Sequence, residues 1–492
     1  MHRREFTFAG MYGLAALTPL FSRRLDAVAR IAANGASQSD QKTRADFTAD
    51  HGRPPLAQRA FVSETVENTI AATKARIPNP QLATLFENCY PNTLDTTVRF
   101  TERNGRPDTF IITGDIPAMW LRDSSAQVWP YLPLAKTDAR LQSLFRGLIH
   151  RQAACILLDA YANAFYSTPR TGIFAHDLTE MRPGVHERKW EVDSLCYCMR
   201  LASGYWSMTG DTEPFDEQWH RAARRVVAVL REQQRLHGDG PYRFQRLTTS
   251  FYDNAPNDGL GNPSRKIGLI HSAFRPSDDA CLLPFLVPSN LFAVVSLRQL
   301  HRLAVEVLRD NRLGDDAASL ADEVDRELRS HAIVNHPNHG KIYAYEIDGM
   351  GNSLLMDDAN VPSLLSLPYL GCCKADDPVY QQTRAFVLSD DNPFFFRGSV
   401  GEGIGGPHEG PEMIWPLSII MRAMTSQDDR EIEHCLRMLI KSSAGTGFLH
   451  ESFNENDPHK FTRPWFAWCN SAFGELILNL AGTKPETLNN TA

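Results

Sequence analysis

Apolar residues recur at spacings of three and four along most of the chain, the period of a helix that buries one face. The pattern predicts long helices over roughly 138–165, 190–209, 213–236, 288–309, 315–332, 411–426, 428–443 and 465–481, and shorter ones near 62–75, 121–134, 358–369 and 378–389. Strand-like alternation is brief, at Thr109–Thr113, Gly240–Phe244 and Ile342–Glu346, enough for small hairpins. Nothing alternates strand with helix as a parallel sheet requires. Gly- and Pro-rich connections lie at 103–120, 166–189, 245–280, 333–357, 391–411 and 444–465. Loops of that length inside a compact body usually carry function. A closed ring of helical hairpins would gather them over one end. The expected architecture is therefore all-α, an (α/α)6 toroid with long active-site loops and a few short β-hairpins.

Composition adds that 492 residues, 42% hydrophobic and 22% charged, can bury a large core. The ends read differently. A twin arginine at Arg3-Arg4 precedes an apolar run through Phe21, so residues 1–30 resemble a twin-arginine export signal, and an exported, periplasmic location is expected. Residues 31–54 read as a linker without packed structure, 55–485 as one (α/α)6 domain, and 486–492 as a tail. No segment approaches the roughly 18 uninterrupted apolar residues of a membrane span, so no membrane insertion is expected after signal removal.

A net charge of -7, with no basic cluster, excludes nucleic acid as a partner class. Nine cysteines, an odd number without paired metal-ligand spacing, argue for mostly buried thiols rather than a disulfide-stapled scaffold. The aromatic residues suit sugar stacking but equally suit a core.

Clusters with chemistry fall in the connections. Thr113–Ser124 contains Trp120, Arg122 and Asp123, an apolar platform beside charged hydrogen-bonding groups, or equally an ion pair capping the next helix. Glu187–Ser194 places Glu187, Glu191 and Asp193 at a helix entrance, as caps or as hydroxyl ligands. His271–Ala280 carries the adjacent pair Asp278-Asp279, whose mutual repulsion or an apolar setting would raise one carboxyl into the range of a general acid. The glycine-rich stretch Gly398–Trp415 has neither the lysine nor the preceding strand of a phosphate loop, and its His408, Glu409 and Glu412 match no zinc spacing. Gly445–Phe453 holds Glu451 beside His450, with Arg463 and Trp465 shortly after, a setting for a base that orients water. Inverting glycoside hydrolysis needs such an acid and base on opposite faces of a sugar, roughly 6.5–9.5 Å apart.

The strings at 114–124, 274–279, 407–416 and 450–453, taken together, closely resemble glycoside hydrolase family 125 over about residues 60–482. The resemblance implies an (α/α)6 fold and an exo-acting, metal-independent, inverting α-1,6-mannosidase with no cofactor and a mannose-containing oligosaccharide as partner. It carries the acid onto Asp278 or Asp279, with a slight preference for Asp278, and the base onto Glu451. It makes Trp120, Arg122 and Asp123 part of a terminal mannose pocket, with His271, Arg275, His408, Glu412, His450, Arg463 and Trp465 as further wall candidates. Competing readings are a glucoamylase-like α-glucosidase on the same toroid and a glycan-binding protein that has lost turnover. A monomer is favoured.

Overall fold

The computed structural model describes residues 52–490. The signal-like segment 1–30, the linker up to residue 51 and residues 491–492 of the tail lie outside the described residues. Arg53 pairs with Glu67 at 2.6 Å and Asp95 at 2.8 Å, and Leu488 is fully buried, so the packed body takes in residues on both sides of 55–485.

The helices are α1 Glu64–Lys74, α2 Pro80–Cys89, α3 Asn92–Thr96, α4 Leu121–Val128, α5 Ala139–Leu158, α6 Val192–Thr209, α7 Glu217–Gln233, α8 Val287–Glu306, α9 Asn311–His331, α10 Pro378–Val387, α11 Pro416–Met424, α12 Asp429–Ser442 and α13 Ala467–Thr483. They alternate between an inner and an outer ring, giving the expected (α/α)6 toroid. Inner helices α4, α6, α8, α11 and α13 are buried over most of their circumference, and the ring closes where α13 meets α4. Outer helices bury one stripe. In α7 it is Trp219, Ala222, Ala223, Val226 and Leu230, and in α12 it is Ile432, Cys435, Leu436 and Leu439. A helix apolar all round is stable only when surrounded, whereas one with a charged face needs solvent.

One inner position departs from the sequence reading. The helix expected over 358–369 is absent, and 357–371 runs as bends and turns. Pro362 and Pro368 each remove a backbone donor and push the preceding residue out of helical geometry. The Asp357 carboxylate instead accepts from the amides of Leu364 (2.8 Å) and Leu365 (3.0 Å), and Tyr197 Oη of α6 donates to the Val361 carbonyl at 3.0 Å. The segment is held by side chains where its neighbours are held by a helical ladder. Helix α2 lies outside the predicted set, although Asn79 caps it and Leu82, Leu85, Phe86 and Cys89 recur at helical spacing. The strand expected at Gly240–Phe244 is replaced by a single bridge between Leu178 and Gln245. All nine cysteines are free thiols.

Short strands run directly into the inner helices. Met119–Trp120 pairs with Ala164–Phe165, which pairs with Val185–Glu187. Met413–Ile414 pairs with Ser452–Asn454, which pairs with Phe461–Thr462. The first sheet leads into α4 and α6, and the second into α11 and α13. Each pairing locks a long loop to the N-terminal end of an inner helix, and those ends gather around one cavity.

Candidate active site

Arg122, at the first turn of α4, is the centre of the cavity floor. Its guanidinium meets Glu191 at 2.6 Å, Asp193 at 3.2 Å, Asp123 at 3.5 Å and Asp278 at 3.8 Å, and lies over the Trp468 ring at 5.7 Å. Asn163, beside the strand that pairs with Trp120, offers Nδ2 to Glu187, Glu191 and Asp278, each at 3.1 Å. Burial pushes the Asp123 carboxyl up to about 6 against the pull of Arg122, with the charge of Asp278 adding to the rise. Burial also drives Glu191 well above the carboxylate range, assisted by its contact with Asp278 and only partly offset by Arg122. For Asp278 burial is outweighed by Lys189, by the hydrogen bond with Glu191 and by Arg122, so its carboxyl is held below the usual range.

The two adjacent aspartates point different ways because of a tight turn. The Arg275 amide donates to the Asp279 carbonyl at 2.7 Å, the Asp278 amide donates to the Arg275 carbonyl at 2.9 Å, and Asp278 adopts φ +67°, a left-handed conformation that costs a non-glycine residue energy. Asp278 turns toward Arg122 and Asn163. Asp279 turns to His408, with 3.0 Å between Oδ1 and Nδ1. That contact outweighs burial and pushes the His408 imidazole up to about 9. Ser277 Oγ donates to Asp358 at 2.9 Å and the Lys189 ammonium donates to the Asp278 carbonyl at 2.8 Å, which pins the turn from both sides.

Glu451 enters from the second sheet. Its amide donates to the Thr462 carbonyl at 3.3 Å, and its carboxylate meets Arg463 Nε at 3.1 Å. Burial raises its pKa to about 7, with Glu409 adding to the rise and Arg463 and His408 opposing it. Arg463 also reaches Asp115 at 3.2 Å.

The cavity walls include Trp120, Arg122, Asp123, Asp278, His408, Glu451 and Arg463. Trp120 Nε1 and Trp415 Nε1 are buried there without a hydrogen-bond partner among the described residues, while Arg122 Nε and Asp123 Oδ2 face each other at 3.5 Å. Buried polar atoms are ordinarily paired, so the two indole N–H groups are aimed at a polar ligand. The remaining sequence candidates stand off the lining. Asp279 backs His408. His271 is buried between the Gln233 carbonyl (2.9 Å) and Ser264 (2.7 Å), and burial keeps it neutral with a pKa near 3. Arg275 pairs with buried Glu346 at 2.6 Å and holds the turn from below. His450 stacks on Phe461 at 3.7 Å and meets the Arg463 carbonyl at 3.0 Å, so it supports the neighbours of Glu451. Trp465 is buried beside Gly114, and Glu412 is exposed. Among the described residues, His336, His339 and Asp391 have ligand atoms within 4.8 Å of one another, but this group does not line the cavity.

A sequence model of the family described as metal-independent alpha-mannosidase (GH125) matches residues 79–478. The chain belongs to that family. It is 44% identical over 459 residues to the meiotically up-regulated gene 157 protein of Schizosaccharomyces pombe, covering 89% of this chain and 90% of that one. Among solved structures, a metal-independent α-mannosidase from Streptococcus pneumoniae, in a non-productive substrate complex with α-1,6-mannobiose, shares 40% identity at TM-score 0.83 and covers 86% of this chain and 100% of that chain. A family 78 rhamnosidase of Bacillus sp. GL1 shares the fold alone, at 11% identity and TM-score 0.52, covering 83% of this chain and 35% of that one.

Within this family 125 chain, sequence reasoning left out Asn360 of the cavity wall and several buried residues behind it. Asn360 was assigned to a helix that does not form. Glu191 and Asp193 were legible as an acidic cluster, but only the fold shows them closing on Arg122. Asn163 had no local signal, since a single asparagine in an apolar stretch becomes a site residue only through strand pairing.

Proposed function

We propose that the protein is an exo-acting, metal-independent, inverting α-1,6-mannosidase in which Asp278 is the general acid and Glu451 the general base. The observation that carries the reading is that Asp278 and Glu451, from loops far apart in sequence, face the same cavity while Asp279 is committed to His408. Family membership supplies α-mannoside as the substrate class. The α-1,6 link rests on the mannobiose complex of the pneumococcal relative. Asp123 and Arg463 in the cavity wall, the latter held by Asp115 at 3.2 Å, favour one terminal sugar over an internal one.

In the reaction, Trp120 and Trp415 border the sugar, and Asp123 and Arg122 take its hydroxyls by charge-assisted hydrogen bonds. Asp278 gives its proton to the glycosidic oxygen as the C1–O bond breaks and the bonding pair stays with that oxygen. Water adds to the opposite face of C1 and passes a proton to Glu451, whose carboxylate is oriented by Arg463. The test is proton NMR of α-1,6-mannobiose hydrolysis. β-Mannose should form first, and α-mannose as the initial product would overturn inversion. A panel of α-glucosides should be turned over far more slowly. Asp278→Asn and Glu451→Gln should each lower kcat at least about 10²-fold. Equal loss in Asp279→Asn and wild-type turnover in Asp278→Asn would move the acid to Asp279.

A further inference from the structure

The cavity floor holds an acid that this chemistry does not by itself require. Glu191 is fully buried, 2.6 Å from Arg122 Nη1 and 3.1 Å from Asn163 Nδ2, and that same Asn163 nitrogen lies 3.1 Å from Asp278 Oδ1. Asn163 Nδ2 thus bridges the two carboxyls, and Arg122 meets both. They differ in hydration. The Asp278 side chain is 25% exposed to the cavity, and that of Glu191 is 0% exposed.

The groups facing Asp278 are Arg122 and Asp123 of α4, Asn163, Lys189, Glu191 and Asp193 on the approach to and first turn of α6, His408 before α11 and Arg463 before α13. Glu187 is taken by Arg246 at 2.7 Å, and on the floor itself Arg122 and Lys189 are outnumbered by Glu191, Asp193 and Asp278. Carboxyls packed together in a desolvated site do not all rest ionised, so one proton is held among them at rest.

We propose that Glu191 and Asp278 hold one proton between them, and that Glu191 is the positioning residue that returns it to Asp278 for delivery to the leaving sugar. In the free enzyme water reaches Asp278, so its charge is hydrated and the proton rests on Glu191. A sugar filling the cavity removes that water, and the charged form of Asp278 loses its hydration. The proton then passes from Glu191 to Asp278, its neighbour across Asn163. It goes on to the glycosidic oxygen as the C1–O bond breaks, leaving both carboxyls ionised until a solvent proton replaces it. Arg122 and Lys189 hold the doubly ionised state. The proposal rests on the reading of Asp278 as the acid.

The test is Glu191→Gln, which keeps the shape and the hydrogen bond to Asn163 but cannot supply the proton. It is assayed against wild type over a pH series with α-1,6-mannobiose, which needs protonation of its leaving oxygen, and with α-mannosyl fluoride, whose leaving group needs little. The expected result is a fall in kcat of at least about 10²-fold on mannobiose and less than about 10-fold on the fluoride, the loss characteristic of a missing acid. The alkaline limb of the mannobiose profile should also move to lower pH, and Glu191→Asp should recover part of the mannobiose rate. An equal loss on both substrates would make Glu191 merely structural and overturn the proposal, as would wild-type turnover of mannobiose. If wild type releases mannose from neither substrate, the mannosidase reading itself fails and the proposal falls with it.

Discussion

Glu451 and Arg122 show how much one residue's surroundings decide. Burial and the neighbouring Glu409 raise the Glu451 carboxyl from 4.5 to about 7 against Arg463 and His408, and a base must be ionised to take a proton. The acid limb of kcat/KM should therefore fall below about pH 7, and Glu409→Gln should move it to lower pH, as read from initial rates in a buffer series. For stability the sign is opposite. The folded state binds this proton more tightly than the unfolded one, so the contribution is full below pH 4.5 and lost as pH rises through about 7. Arg122 has another consequence. Removing it as Arg122→Leu would leave Glu191 and Asp193 buried without their cation, a loss of about 3–5 kcal/mol that urea unfolding would measure. The sequence showed Arg122 and Asp123 as a pair with two readings, cap or ligand. The structure makes Arg122 the hub of a buried network because Glu191, distant in sequence, is folded against it.

Among the elements, the outer helices were the most legible. Their charged faces leave an unambiguous stripe, and α7, α9 and α12 begin and end within a few residues of expectation. The failure at 357–371 has a local cause, since Pro362 and Pro368 forbid the ladder that apolar spacing suggested. Its replacement is specific. Asp357 is driven up to about 8 by burial, opposed by the amides of Leu364 and Leu365, and holds the turns that carry Asp358 and Asn360. Asp357→Ala should orphan those amides, loosen Asn360 at the cavity wall and raise KM for mannobiose more than it lowers kcat, as steady-state kinetics would record. The glycine-rich loop before α11 has a packing reason as well. A Cβ on Gly405 would stand 2.2 Å from the Met413 carbonyl oxygen, within the sheet that leads to Trp415. Gly405→Ala should cost about 1–3 kcal/mol in a denaturant melt, the usual range for overpacking.

At the scale of the whole molecule the ring is closed by its last helix. α13 packs on α4, α11 and α2, so residues from both ends of the folded body complete the same wall. Truncation before Ala467 should abolish cooperative thermal unfolding followed by circular dichroism, because it opens the toroid and exposes the apolar sides of α4 and α11. Incubation with EDTA is expected to leave mannose release unchanged, in keeping with a family described as metal-independent. By itself the sequence determined the helical period, the all-α class, the loops that hold chemistry and, through the resemblance of their strings, the family. Those properties are local, or repeat along the chain, and so survive without coordinates. Only the tertiary structure decided that Asp278 faces the cavity while Asp279 faces His408, that His271, Arg275 and His450 support the walls without lining them, and that Asn163 and Glu191 meet beside Asp278. These depend on a left-handed turn at Asp278 and on strand pairings between distant segments, which hydrophobic spacing cannot encode because they are set by which loop meets which across the ring.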